Sequence, residues 1–119
     1  MTGRLVVIES PYAGDVPANL AYLHQIIREC ALRDDSPYAS HLMLTEALDD
    51  LDTHERAVGI ELGLRWRRAA DARLFYIDRG WSPGMLAAKA LYVAEGLSFE
   101  IRVLGETAFA CYPVPEGGE

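Results

Sequence analysis

The sequence predicts an α/β domain: a parallel sheet of four to five strands covered by helices on both faces, a three-layer sandwich. Three observations carry this. Strand-like and helix-like segments alternate along the chain, the first strand is an unbroken apolar run, and the helical segments open at capping residues or prolines. A strand buried on both faces reads as a continuous apolar run rather than an alternating one. The 119 residues suffice for one such domain, assigned to residues 1–112, with 113–119 as a loose tail.

The first strand is read over Arg4–Ser10, between Gly3 and Pro11. After a turn-rich stretch, Leu20, Leu23, Ile27 and Cys30 recur three or four apart, which predicts a helix from Pro17 to about Arg33. Asp34-Asp-Ser-Pro37 ends it, and Tyr38–Leu44 is expected as a second strand. Asp52 with Glu55 three residues on forms a capping-box start. That helix runs to about Ala70 with Val58, Leu62 and either Trp66 or Arg65 on one side, and Ile60 and Leu64 on an adjacent side. Arg73–Asp78 is the third strand. Ser82 and Pro83 open a third helix that Gly96 stops, with Met85, Leu86, Ala90, Leu91 and Ala94 as its apolar positions. Leu97–Leu104 is the fourth strand and Thr107–Tyr112 a short edge strand.

Composition excludes several function classes. Half the residues are hydrophobic and 24% charged, an ordinary globular balance, and the formal charge is −7. A chain this acidic lacks the diffuse positive field of sequence-independent nucleic-acid binding, so no nucleic-acid partner is expected. No run of about twenty apolar residues is present, so no membrane span is expected, and with the first strand starting this early no signal peptide is expected either. Cys30 and Cys111 lie far apart, and with three scattered histidines they lack the spacing of a structural zinc site. A cytoplasmic protein with reduced thiols and no metal or cofactor is the expectation.

In an open parallel sheet, ligands bind beyond the carboxyl ends of the strands. The polar residues of those loops are Ser10, Tyr12, Asp15, His41, Asp49, Asp50, Asp78, Arg79 and Ser82. At Ser82-Pro-Gly-Met85, backbone N–H groups and the serine hydroxyl can hold a phosphate, although the same residues make an ordinary helix start. Gly14 lets backbone approach a ligand and Tyr12 can stack on a base or sugar, or else be a turn tyrosine. His41 is more often a core histidine than a catalyst. Asp49, Asp50 and Asp52 can bind a cation, but the helix dipole explains them better. Glu55 and Arg56 can pair on the helix surface. Trp66 and the arginines around it resemble a partner surface, although a half-buried tryptophan is commoner. No nucleophile elbow, Walker loop or dinucleotide fingerprint is present.

Taken in order, Val7-Ile-Glu-Ser-Pro-Tyr-Ala-Gly14, Asn19, Ser36-Pro-Tyr-Ala-Ser-His-Leu42, Leu48-Asp-Asp50, Glu55-Arg56, Gly59, Ala70-Asp71 and Gly80-Trp-Ser-Pro-Gly-Met85 resemble the nucleoside 2-deoxyribosyltransferase-like superfamily. The nearest branch is the small phage-associated one with a PYxG start and an SxGM helix. The resemblance implies a flavodoxin-like, Rossmann-like sheet and a nucleotide or nucleoside-like ligand. By position it places Ser10, Pro11, Tyr12, Gly14 and Asn19 under sugar and base, Ser82, Gly84 and Met85 at the 5′ end, and His41 and Asp50 at the rim. It implies a homodimer or higher homo-oligomer, in a bacterial host's cytoplasm if phage-encoded. The chain departs from it at one point: where catalytic members carry a glutamate nucleophile on the third helix, this sequence has Ala88, or Leu86 if the register slips. Glu95 lies about 10 Å further along the helix and cannot substitute.

The expectation is therefore a nucleotide-binding protein that senses or sequesters its ligand. The alternative is an N-glycosidase or deoxyribosyltransferase with relocated acid/base groups at Asp50 and Asp78. Arg79 beside Ser82 is the expected source of positive potential for a phosphate, with Arg4, Arg56 or Arg102 contributing if folded nearby.

Overall fold

Apolar residues crowded at the start of the chain need cover on two sides, and β1 (Arg4–Glu9) obtains it as an interior strand of the sheet. A computed structural model of the chain describes residues 3–106 and 110–112. The further elements are α1 (Val16–Leu32), β2 (Asp35–Tyr38), a π-helical turn (His41–Thr45), α2 (Thr53–Ala69), β3 (Ala72–Tyr76), α3 (Pro83–Glu95), β4 (Phe99–Arg102) and β5 (Ala110–Tyr112). The strands lie in the order β2-β1-β3-β4-β5. The first four are parallel, with Val6 opposite Pro37 on one side and Ala72 on the other. The edge strand β5 runs antiparallel to β4. Within the expected segment 107–112, residues 107–109 lie outside the described residues, as does the expected tail 113–119.

Side-chain alternation along the strands separates two cores. Val6, Ile8, Leu74 and Tyr76 face α1, where Tyr22, Leu23, Ile26 and Cys30 meet them. Phe75 and Phe99 face the other way, onto Met85, Ala88 and Tyr92 of α3. α2 lies on this second face too, since Arg67 reaches Glu9, which also receives Tyr92. The result is three layers, helix, sheet and helices.

Local signals set the helix ends. Asp15 accepts from Ala18 N, Asp52 from His54 N and Glu55 N, and Ser82 from Met85 N. The Asp52 capping box is only half formed, because the Glu55 carboxylate turns to Asp49 N at 3.0 Å. Gly96 ends α3 at φ 68°, a left-handed conformation in which any side chain is strained.

Two expectations are corrected. The second strand is Asp35–Tyr38, not Tyr38–Leu44. Asp34 reverses the chain at φ 64°, and the Asp35 carboxylate meets Arg4 at 3.2 Å, pinning this segment to β1. Pro37 is tolerated because β2 is an edge strand. Residues 41–45 wind into a π-helical turn, as a short apolar run permits, since periodicity alone does not separate strand from helix there. On α3 the buried stripe is Met85, Ala88 and Tyr92, whereas Leu86 is 52% exposed and Ala90 and Ala94 are exposed too. Tyr92 decides the helix rotation, for it packs on Phe75 and Phe99 and carries its hydroxyl to Glu9.

Arg73 staples the second layer. Only 4% exposed, it donates to the carbonyls of Arg67 (2.6 Å) and Ala70 (3.1 Å) at the end of α2, and to that of Ser98 (2.6 Å) before β4. A cation against the last carbonyls of a helix complements its dipole. Arg73→Met removes these donors and is expected to cost about 3 kcal/mol, read as a lower urea midpoint with an unchanged slope.

Candidate functional site

The chain leaves β1 toward α1 on one face and reaches β3 from α2 on the other, so a crevice opens beyond the carboxyl ends of β1 and β3. The loop after β1, residues 10–15, divides it. Asn19, buried at the start of α1, donates to the carbonyls of Tyr12 (3.0 Å) and Ala13 (3.1 Å) and so fixes this loop. Gly14 turns it at φ 99°; nothing lies within 4 Å of where a Cβ would be, so the glycine answers to backbone conformation rather than to a close approach.

On the α2–α3 side is a cavity of about 280 Å³ between the π-helical turn, α2 and the first turn of α3. His41, Asp50 and Gly84 line it, together with Arg56, Ile60 and Arg67. Residues 56, 59, 60, 63 and 67 share one face of α2. Glycine at 59 and 63 keeps that face shallow: a Cβ at Gly59 would stand 3.2 Å from Leu48 Cδ1, and one at Gly63 the same distance from Arg67 Nη1. On the α1 side a shallow, polar depression of about 480 Å³ is lined by Pro11, Ala13, Asp15, Asn19, Asp78 and Arg79.

The residues singled out from the sequence thus fall into separate groups. His41, Asp50 and Gly84 come together, and Pro11, Asn19, Asp78 and Arg79 come together on the opposite side of the loop. Tyr12 joins the two, stacking on the His41 ring at a centroid distance of 4.9 Å while its hydroxyl donates to Glu46 at 2.8 Å. Ser10 is buried with its hydroxyl unpartnered among the described residues. Ser82 Oγ is committed to Met85 N at 3.2 Å, and Met85 is buried in the core under α3. Arg79 is engaged on the α1 side, where its Nε donates to Asn19 Oδ1 at 2.9 Å, and the cations lining the α2–α3 cavity are Arg56 and Arg67. Arg4 and Arg102 join Asp35 and Glu100 in an ionic cluster. Asp78 is held by Tyr22 Oη (2.6 Å) and Leu104 N (3.1 Å), a structural clamp. Asp49 and Asp52 serve the helix start, Asp49 accepting from Leu51 N at 3.0 Å. Among the described residues no group of three His, Cys, Asp or Glu side chains is placed to hold a metal ion, and no helix is long and apolar enough to cross a membrane. Ala88 lies in the α3 core between Met85 and Tyr92.

Behind the cavity is a cluster that sequence reasoning missed. Glu9, 5% exposed at the end of β1, accepts from Arg67 Nε (2.8 Å) and Nη2 (3.2 Å) and from the Tyr92 hydroxyl. Burial works against the Arg67 cation, but the charge and hydrogen bonds of Glu9 raise its pKa above the ordinary value. Burial, and then the Glu9 charge, push the Tyr92 hydroxyl far up as well, so it stays a donor. An acid closing a run of four apolar residues was the available signal, since a charge there must find a partner.

His41 stands beside this cluster. Its Nε2 lies 3.0 Å from the Ser10 carbonyl, which can only accept, so Nε2 carries the proton. Burial lowers its pKa below 6.5, opposed by the Ser10 bond and by Glu9.

The profile of a family described as a domain of unknown function (DUF7768) matches residues 4–104 of the chain. No curated protein and no solved structure matches it.

Because the folded His41 pKa lies below its unfolded value of 6.5, the unfolded chain takes up the proton first on acidification. The stability this group contributes is complete above that value and declines as pH falls from it toward the folded pKa. His41→Gln is therefore expected to reduce the loss of stability between about pH 7.5 and about pH 5.5 in urea titrations, relative to wild type.

Proposed function

The chain belongs to the DUF7768 family, and we propose that it is a nucleotide-binding protein that holds its ligand without cleaving the glycosidic bond. The observation that carries this reading is the cavity beyond β1 and β3, lined by Arg56, Arg67 and the first turn of α3. On a chain of net charge −7 an anionic ligand needs local cations, and two, Arg56 and Arg67, line this cavity alongside the acids Asp50 and Glu55. The stacked Tyr12–His41 pair gives a flat aromatic surface for a base nearby. We read the strand order as flavodoxin-like with an antiparallel edge strand, an order whose ligands sit at the β1/β3 switch point.

The likeness to nucleoside 2-deoxyribosyltransferases supports a nucleotide-sized ligand, and the alanine at position 88 argues against the covalent route of those enzymes. Sensing or sequestering a nucleotide is the use that remains. Asp50 on the cavity favours one second reading, hydrolysis by a water that its carboxylate activates. Asp78 is poorly suited to that role, since both its oxygens accept from Leu104 N.

A screen of nucleosides and nucleoside monophosphates by thermal shift, with chromatography of each mixture, tests both readings. A monophosphate at a hundred times its Kd is expected to add about 2.7 kcal/mol, raising Tm by about 10 °C, and to be recovered intact. Arg56→Ala is expected to weaken that binding. Release of free base by wild type but not by Asp50→Asn would replace binding with hydrolysis.

A further inference from the structure

The buried pair behind the cavity leaves one strong donor unused. Glu9 occupies Nε and Nη2 of Arg67 and also receives the Tyr92 hydroxyl. Nη1 has no hydrogen-bond partner among the described residues and lies over Gly63, where a Cβ would stand 3.2 Å away. A guanidinium is a rigid planar fork, so gripping one edge fixes where the remaining nitrogen is presented. Its side chain is already ordered, so little rotamer freedom is left to lose when a ligand arrives. A second buried cation is close by: the Arg73 guanidinium lies 5.9 Å from the centroid of the Tyr92 ring, with carbonyls and a hydroxyl as its hydrogen-bond acceptors. Asp50 and Glu55 also line the cavity and disfavour an anion beside them, which leaves the Arg67 side to receive it.

We infer that Glu9 and Tyr92 are positioning residues that hold Arg67 so that its Nη1 receives the phosphate monoester of a ligand in the cavity. The inference rests on the nucleotide reading above and adds an orientation, phosphate toward α2 and base toward the Tyr12–His41 pair. Gly63 belongs to the device, because a Cβ there would press on Nη1 at 3.2 Å and push it aside by a few tenths of an ångström.

Calorimetry with inorganic phosphate, the four 2′-deoxynucleoside 5′-monophosphates and the matching nucleosides tests it on wild type, Arg67→Gln, Gly63→Ala and Tyr92→Phe. Arg67→Gln is expected to weaken monophosphates by about tenfold or more, the loss of a charged hydrogen bond, and to leave nucleosides unchanged. Gly63→Ala and Tyr92→Phe are expected to weaken monophosphates several-fold, again without touching nucleosides. Should Arg67→Gln fail to fold because Glu9 is left uncompensated, Gly63→Ala keeps the ion pair and a good helix former and decides the matter alone. Monophosphates bound with wild-type affinity by the folded Arg67→Gln or Gly63→Ala variants would overturn the inference and leave the nucleotide reading standing. Inorganic phosphate bound by wild type and lost in these variants, with no nucleotide bound, would retain the anion subsite and remove the nucleotide reading. No binding of either overturns both.

Discussion

A carboxylate at the end of an interior strand has to be compensated where it lies, and much of this molecule is arranged around that requirement. Glu9 is almost fully buried, and an isolated charge there would cost several kcal/mol. Its partners come from two different helices, Arg67 from the last turns of α2 and Tyr92 from α3. The ion pair therefore fixes the approach of two helices to one strand, which apolar contacts alone leave free to slide. α2 needs such a tether, because Gly63 is its one buried residue and Trp66, stacked on Tyr38, is still 49% exposed. Arg73 secures the same helix from its end, through the carbonyls of Arg67 and Ala70.

What was legible in the sequence follows from how local the physics is. Pro17, Asp52, Ser82 and Gly96 act within a turn of their own position, so the starts and stop they mark agree with the helices found. The parallel sheet followed from the alternation of elements and the apolar run of β1. Its second strand was displaced because the decisive contact, Arg4 with Asp35, joins residues 31 apart and leaves no periodic trace. The orientation of α3 was misjudged for a related reason. Leu86, Ala90 and Ala94 form as apolar a stripe as Met85, Ala88 and Tyr92, and only the position of Phe75, Phe99 and Glu9 across the layer distinguishes them.

The candidate site was legible as a set of loops and illegible as a set of neighbours. The rule that ligands gather at carboxyl ends of parallel strands selected His41 and Asp50, and equally Asp78 and Arg79, while the family resemblance added Gly84 on one side and Asn19 on the other. Which side of the first loop each occupies depends on where its crossover packs, and the sequence holds no local record of that. Arg67 escaped notice because an arginine among Arg65, Trp66 and Arg68 reads as helix surface. Its partner Glu9 lies 58 residues away.

The alanine at position 88 gains meaning from this arrangement. Its turn of α3 faces the sheet between Met85 and Tyr92, so a charge introduced there would enter a packed layer that already holds Glu9 and its two hydrogen-bonded partners. The helix meets the cavity only at its first turn, through Gly84, and the cations come from α2. Glycine at 59 and 63 gives α2 room to do this, letting Leu48 approach the helix and Arg67 lie flat along it. The polar chemistry of the cavity thus belongs to the seam between β1 and α2. Substitutions along that seam alter charge and shape at the cavity together, whereas substitutions on the inner face of α3 act on packing first.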